Sequence, residues 1–283
     1  MDAPYGQLIE VEPGVARVLA PNPSPYTSTG TQVHLVGRDE LAVIDPGPAD
    51  DAHIEALVRA IGGRPVAAIL ITHTHKDHSP GAVPLAQATG APVVGCAPLV
   101  IEGGTEAGFD HHYAPDRVLA DGESMAVDGR RLTAIHTPGH TSNHLCFADE
   151  AAGVVWSGDH VMGWSTSVVI PPDGDMGDYV RSLEKLRQRT GDRIYYPGHG
   201  EPVSEPQRLV RGMVNHRVQR ERQIVRRVEA GDRTVSEIVA AAYPGLDPRL
   251  VPAAGASVLA HLLDLARRGL VGRAEGDSWL PAD

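Results

Sequence analysis

The chain reads as an α/β protein that ends in a small helical unit closed by a hairpin. Three observations predict this. Over roughly the first two hundred residues, short apolar runs alternate with turn signals and with three stretches of helical spacing. From about Gly212 helical spacing dominates, and it closes on a hairpin pattern. With 283 residues, 42% of them apolar, the chain can bury one large core and a smaller one. The break is expected near residues 205–212, giving domains at 1–210 and 211–283.

The elements follow in order. Gln32–Val36 and Leu41–Ile44 read as strands, closed by the turn Asp45-Pro46-Gly47-Pro48. Residues 50–61 form a helix with Ile54, Leu57, Val58 and Ile61 on one face. Val66–Ile71 is continuously apolar and rich in β-branched residues, as a fully buried strand would be, and it runs directly into Thr72-His73. A helix is expected to open near Ser79-Pro80, followed by a strand at Val93–Cys96 and a long loop over 102–117. Four short strands follow, at 124–127, 131–136, 144–148 and 153–157. Residues 178–189 are helical, with Tyr179, Leu183 and Leu186 as the apolar stripe, and Arg193–Tyr196 is a last strand before Pro197-Gly198-His199-Gly200. In the final part, residues 213–230 read as one long helix. Thr234-Val235-Ser236-Glu237 is a capping box opening a second helix, to about Ala242. A third helix spans 252–268, stopped by Gly269, and residues 270–280 pair around Glu275-Gly276-Asp277. Three helices and a hairpin suggest a winged-helix-like unit.

Composition excludes some functions. A formal charge of −11 argues against a whole-surface affinity for nucleic acid. Cys96 and Cys146 stand at no metal-like spacing and read as small buried hydrophobes, which fits a reducing compartment. Met1-Asp2-Ala3-Pro4-Tyr5-Gly6 lacks the basic and apolar regions of a secretory signal, and no run of 18 apolar residues occurs. A cytoplasmic location away from membranes is therefore expected.

The chemistry concentrates in His73-Thr74-His75-Lys76-Asp77-His78, where three imidazoles and a carboxylate follow a buried strand. In extended backbone, alternate side chains share a side, so His73 and His75 can grip one ion. Asp77 and His78 follow in the turn and can face a second. Imidazole and carboxylate donors suit Zn²⁺, with Fe²⁺ and Mn²⁺ also compatible. Three isolated residues can complete two coordination spheres: His140 in Thr137-Pro138-Gly139-His140-Thr141, Asp159 in Ser157-Gly158-Asp159-His160, and His199. Each stands at a strand-to-loop junction beside a glycine.

In this order the segments resemble the metallo-β-lactamase fold superfamily over residues from about 15 to 200. The resemblance implies a four-layer αββα sandwich with the metal centre at one edge between the sheets. It also implies that His73, His75 and His140 hold a first ion, that Asp77, His78 and His199 hold a second, and that Asp159 bridges them. Asp45 matches a position that supports the ligands from behind. The expected enzyme is a hydrolase with two divalent ions, Zn²⁺ foremost, and a hydroxide bridging them as nucleophile. Asp77 would orient the attacking water or relay a proton besides ligating.

The superfamily cuts β-lactams, thioesters, lactones, phosphodiesters and sulfate esters, so the metal site does not choose a substrate. A secreted β-lactamase would want an export signal, and such enzymes usually lack a counterpart of Asp159. Residues 178–183, 215–224, 260–265 and 269–271 resemble the lactamase-β-2-like family, whose members are described as a single-strand-selective endoribonuclease or as glyoxalase II-like hydrolases. For RNA speak Arg217, Arg220, Arg222, Arg226, Arg227 and Arg233, against Glu221, Glu229 and Asp232. The bland alternative is a solvated helix face with pairs such as Glu221 beside Arg217. Against RNA speak the overall acidity and an aromatic set of 2 Phe, 3 Trp and 7 Tyr, too sparse for stacking platforms. A small ester or thioester is the expected substrate class, with single-stranded RNA the alternative. Trp164 is a candidate for the substrate wall, and His160 for a supporting or pocket residue; His144 reads as a strand residue and His111-His112 as a solvated pair.

Overall fold

The computed structural model describes residues 4–99 and 108–282. Contacts between Cα atoms divide the chain into two units. One takes the chain up to Thr137 with Asn143–Ser165 and Thr190–Pro206; the other takes Pro138–Ser142, Thr166–Arg189 and everything from Gln207 onward.

The first unit is built on two mixed sheets. Strands β1 (Leu8–Glu12), β2 (Val15–Leu19), β3 (Gln32–Val36), β4 (Leu41–Ile44), β5 (Val66–Ile71), β6 (Val93–Gly95) and β7 (Arg117–Val118) lie side by side in chain order. The first four pair antiparallel, and β4 through β7 pair parallel. Parallel neighbours need crossovers. Helix α1 (Asp51–Ile61) supplies one between β4 and β5, and α2 (Ala82–Thr89) supplies another between β5 and β6. Asp50 caps α1 by accepting from the His53 N–H, and Gly62, in the left-handed region, ends it. The second sheet carries β8 (Ser124–Val127), β9 (Arg130–His136), β10 (Leu145–Asp149), β11 (Val154–Gly158) and β12 (Ile194–Pro197), in the order β12-β11-β10-β9-β8. Val33, Leu35, Ile69 and Leu70 of the first sheet share one buried core with Leu132, Phe147, Trp156 and Tyr196 of the second. Burial on both faces explains the continuous apolar runs of β4 and β5.

The second unit contains α3 (Met176–Arg187), α4 (Pro206–Glu229, from Gln207 on), α5 (Val235–Ala242) and α6 (Val251–Arg267), with a hairpin of β13 (Val271–Arg273) and β14 (Trp279–Pro281). The capping box is formed: Glu237 N–H donates to Thr234 Oγ1 at 3.2 Å, and Thr234 N–H to Glu237 Oε2 at 2.9 Å. Ile224, Val228, Ile238, Val258, Leu262, Leu265 and Trp279 make its core.

Some expectations need correction. Strands β1, β2 and β7 were not legible. Helix α2 opens at Ala82 rather than near Ser79, because the Ser79 hydroxyl is spent on Asp110 Oδ2 at 2.8 Å and no side chain caps the helix. Helix α4 opens at Pro206, earlier than the expected 213, since proline's fixed φ suits the first helical position. Of the expected 102–117 loop, residues 102–107 lie outside the described residues; beyond them, Phe109 bridges to His75 and Arg117 enters β7.

Candidate metal centre

Every site residue of the first unit follows the C-terminal end of a strand. Asp45 follows β4, the His73–His78 run follows β5, Asp159 follows β11 and His199 follows β12. Backbone ladders end there, and loops can turn side chains to a common edge.

Asp45, 3% exposed and with φ at 49°, organises the centre. Its Oδ1 accepts the Thr72 N–H at 2.8 Å. Its Oδ2 accepts the Thr72 hydroxyl at 2.6 Å and His78 Nδ1–H at 2.9 Å. The Thr72 hydroxyl proton is thus committed, so its oxygen accepts from His73 Nδ1–H at 3.0 Å. Gly30 carbonyl accepts His199 Nδ1–H at 3.1 Å. A carbonyl or carboxylate at Nδ1 assigns the proton there and leaves the lone pair at Nε2. His73, His78 and His199 therefore all present Nε2 as the donor atom.

These atoms converge. His78 Nε2 and His199 Nε2 stand 3.2 Å apart. Asp159 Oδ1 is 3.4 Å from each, and Asp77 Oδ2 is 3.1 Å from His199 Nε2 and 3.7 Å from His78 Nε2. His73 Nε2 lies 3.0 Å from His75 Nδ1. Donor atoms of His73, His75 and Asp159 fall within 4.8 Å of one another, as do those of Asp77, His78 and His199. Lone pairs facing at such distances repel unless a proton or a cation stands between them. Asp45 could join His73 and His78 by distance, but its carboxylate is taken up by Thr72 and His78, so it braces the cluster.

The electrostatics agree. Burial depresses the His78 imidazole, yet Asp159, Asp77 and Asp45 hold its pKa well above the ordinary value. Burial likewise works against a charged His199, but Asp159 and then Asp77 raise it to about 9. Burial would raise both carboxylates; instead His78 and His199 pull Asp77 below the usual range, and His199 and His78 pull Asp159 far below it. His73 is driven well down by burial, then by His78 and His75. The pattern is that of anionic donors answered by protons, which divalent ions can replace.

Tight packing holds the geometry. A methyl group on Gly198 would stand 2.6 Å from His78 Cε1 and 2.7 Å from Asp159 Oδ1, so only glycine lets β12 run this close to the cluster. Residues that the sequence left aside also contribute. His144 is fully buried; its Nδ1 meets the Thr137 hydroxyl at 2.9 Å and its Nε2 accepts the Asp159 N–H at 3.3 Å, so it supports the Asp159 turn rather than serving merely as a strand residue. Thr31 donates its hydroxyl to the Asp77 carbonyl at 3.0 Å and pairs with His199. Nothing in 27–31 flags this role, whereas Thr72, between a buried strand and His73, carried a positional hint. His160 is buried beside His144, with ring centroids 5.7 Å apart. His111 and His112 are exposed. Trp164, 41% exposed, lies against Gly200, next to His199.

His140 belongs to the second unit. There its Nδ1–H donates to the Val168 carbonyl at 2.6 Å, which again assigns the lone pair to Nε2.

The chain is similar to known proteins along most of its length. The Metallo-beta-lactamase superfamily profile matches residues 27–199, and the Beta-lactamase associated winged helix domain profile matches residues 234–279. An atrochrysone carboxyl ACP thioesterase of Aspergillus fumigatus is 30% identical over 240 residues, which span 82% of this chain and 71% of that one. A beta-lactamase-like protein 2 homolog of Drosophila melanogaster is 32% identical over 267 residues, spanning 90% and 88%. Among solved structures, a metallo-beta-lactamase family protein from Thermus thermophilus superposes with a TM-score of 0.80 at 24% identity, over 96% of this chain and 100% of that one. A beta-lactamase domain protein from Burkholderia ambifaria gives 0.83 at 22%, over 100% and 95%. At those identities the two structures speak for the fold alone.

Proposed function

The chain belongs to the metallo-beta-lactamase superfamily, with a C-terminal winged-helix domain of the β-lactamase-associated type, and from that premise we propose that it is a two-ion hydrolase of a small ester or thioester. The observation that carries the reading is the convergence of His78 Nε2 and His199 Nε2 at 3.2 Å, with carboxylate oxygens of Asp77 and Asp159 beside them. This nitrogen and oxygen donor set fits Zn²⁺, and also Fe²⁺ or Mn²⁺. His73 and His75 would hold one ion together with His140, which is assigned by its motif and by the Nε2 lone pair; Asp77, His78 and His199 would hold the other, and Asp159 both. When bound, the ions supply Lewis acidity and a water acidified toward neutral pH.

The chain's own groups do the rest. Asp45 and Thr72 keep His73 and His78 in the ligating tautomer. His144 holds the backbone of Asp159. The Asp77 side chain is 28% exposed against 9% for Asp159, so Asp77 is the carboxylate that can take a proton from an attacking water and return it to a leaving group. The Trp164 indole, beside the His199 turn, offers an apolar wall.

A thioesterase among the relatives favours the carbonyl substrate. Of the six arginines raised for RNA, Arg222 and Arg226 are exposed, and the other four are engaged within the chain. Arg217 is buried, and Arg220 is bonded to Gln223 and the Ala242 carbonyl. Arg227 pairs with Asp232, and Arg233, beyond the end of α4, bonds the Val228 carbonyl. Glu221 pairs with Arg268 and not with Arg217 as expected.

The test is a side-by-side assay of zinc-loaded protein on S-lactoylglutathione, a longer-chain acyl thioester, an aryl ester and a single-stranded RNA oligomer. Turnover of an ester or thioester, with about two metal ions per chain by elemental analysis, is the expected result. RNA cleavage with every carbonyl substrate untouched would overturn the substrate class, and a single ion per chain would overturn the two-ion centre.

A further inference from the structure

The structure assigns a positioning role to Arg217 of α4: it fixes the backbone that aims the His140 imidazole. The inference rests on the two-ion reading above, in which His140 is a ligand.

His140 is framed on two sides within the second unit. Its main chain is pinned to the start of α3. Asp175 N–H donates to the Gly139 carbonyl at 2.9 Å, the Ser182 hydroxyl to the Pro138 carbonyl at 2.8 Å, and Ser142 N–H to Asp173 Oδ2 at 3.0 Å. The approach is so close that a methyl group on Gly139, at φ 135°, would lie 2.2 Å from Tyr179 Cα. This fixes where His140 stands. A metal ligand needs its ring plane set as well.

The ring is set by the Val168 carbonyl at 2.6 Å. Yet residues 166–170 have no regular secondary structure, so no ladder fixes the direction of that carbonyl. Arg217 does. Its Nη2 donates to the carbonyl of Ser167, one residue upstream. Ser167 is 1% exposed and Arg217 3%. The Arg217 guanidinium lies 5.1 Å from the ring centroid of Tyr179, a fully buried residue of α3. Arg217 therefore ties together the two supports of His140, the 166–170 segment and the N-terminal half of α3.

Among the described residues no carboxylate pairs with Arg217, and its Nε is a buried donor with no hydrogen-bond partner. An interior cation answered only by a carbonyl and a ring face is costly. Methionine would fill the same space without that cost. The charge is therefore held for its directional bond to Ser167, and the bond leads to His140.

The test uses the full chain carrying R217M or R217K. Circular dichroism and thermal unfolding check the fold, and chelator competition gives the Kd of each of two Zn²⁺ ions. Heteronuclear NMR of the histidine side chains reads the His140 tautomer in the metal-free protein. The expected result is that R217M weakens one ion by about 10–100-fold while the other changes less than about twofold, and that the fixed His140 tautomer is lost. R217K, which keeps a donor and the charge, recovers part of both. Two unchanged dissociation constants with an unchanged tautomer would overturn the inference. So would a rise in KM alone, which would make Arg217 a substrate contact. Should R217M fail to fold, the same criteria apply to R217K. A wild-type chain that binds only one ion would instead refute the two-ion reading.

Discussion

At His73, His78 and His199 the nitrogen turned away from the cluster is held by an acceptor, directly or through Thr72, and that hydrogen bond decides which nitrogen can ligate. Asp45 serves two of the three. Asp45→Asn replaces an acceptor of three hydrogen bonds with an amide that must turn an N–H toward a donor. Metal affinity should fall by about 10–100-fold with the fold retained, as chelator competition and circular dichroism would show. A second expectation concerns protons. Asp159 and Asp77 raise His199 to about 9 and hold His78 above its ordinary value, so the metal-free cluster retains protons at neutral pH that cations must displace. Calorimetry in buffers of different ionisation enthalpy should detect net proton release at pH 7, and affinity should strengthen as pH rises toward 9. Binding with no proton exchange would refute this charge assignment. A third concerns His34, buried in β3. Burial, with Arg17 nearby, lowers its pKa to about 3. The unfolded chain takes up this proton near pH 6.5 and the folded chain does not, so stability falls as pH drops from 6.5 toward 3. Between pH 6.5 and 5 His34 alone accounts for about 2 kcal/mol. In urea unfolding, His34→Leu should flatten the pH dependence relative to the parent.

At the scale of elements, the readable ones carried a strong period or a chemical cap. Strands β4 and β5 announced themselves by unbroken apolar runs, and α5 by its capping box. Thr234→Ala should cost about 1 kcal/mol in unfolding of the metal-loaded chain and leave turnover unchanged; a larger loss of activity than of stability would contradict a purely local role. Strands β1 and β2 escaped because LIEVE and VARVL mix polar with apolar residues near a sheet edge, where one-sided burial leaves only a weak alternation. Strand β7 has two residues, both exposed, too short for any period. The start of α4 was hidden because Pro206 reads equally as a loop residue and as a first helical residue. The close approach of β12 to the cluster is also an element-scale property. Gly198→Ala should press a methyl group against His78 and Asp159 and reduce metal content, measured by elemental analysis, while the sheets persist.

For the whole molecule, the separation between chemistry and charge matters. A net charge of −11 and the internal engagement of Arg217, Arg220, Arg227 and Arg233 predict weak retention of single-stranded RNA at physiological salt. The order of the motifs along the chain determined, from sequence alone, the family, the metal-ligand candidates and the presence of a small C-terminal unit, because a run such as His73–His78 carries its donors at adjacent positions and needs no distant partner to be recognised. What only the tertiary structure decided is which nitrogen of His73, His78, His140 and His199 is left with its lone pair, and what holds it there. Those answers depend on Asp45, Gly30 and His144, which reach the cluster from other strands and loops, and on Thr72, which links Asp45 to its neighbour His73. They also depend on Arg217, which the sequence offered as a solvated or RNA-facing charge and which folding turned inward onto Ser167. A hydrogen bond between residues far apart in the chain leaves no local period or spacing to read, and apart from Thr72, which neighbours His73, these supports are of that kind.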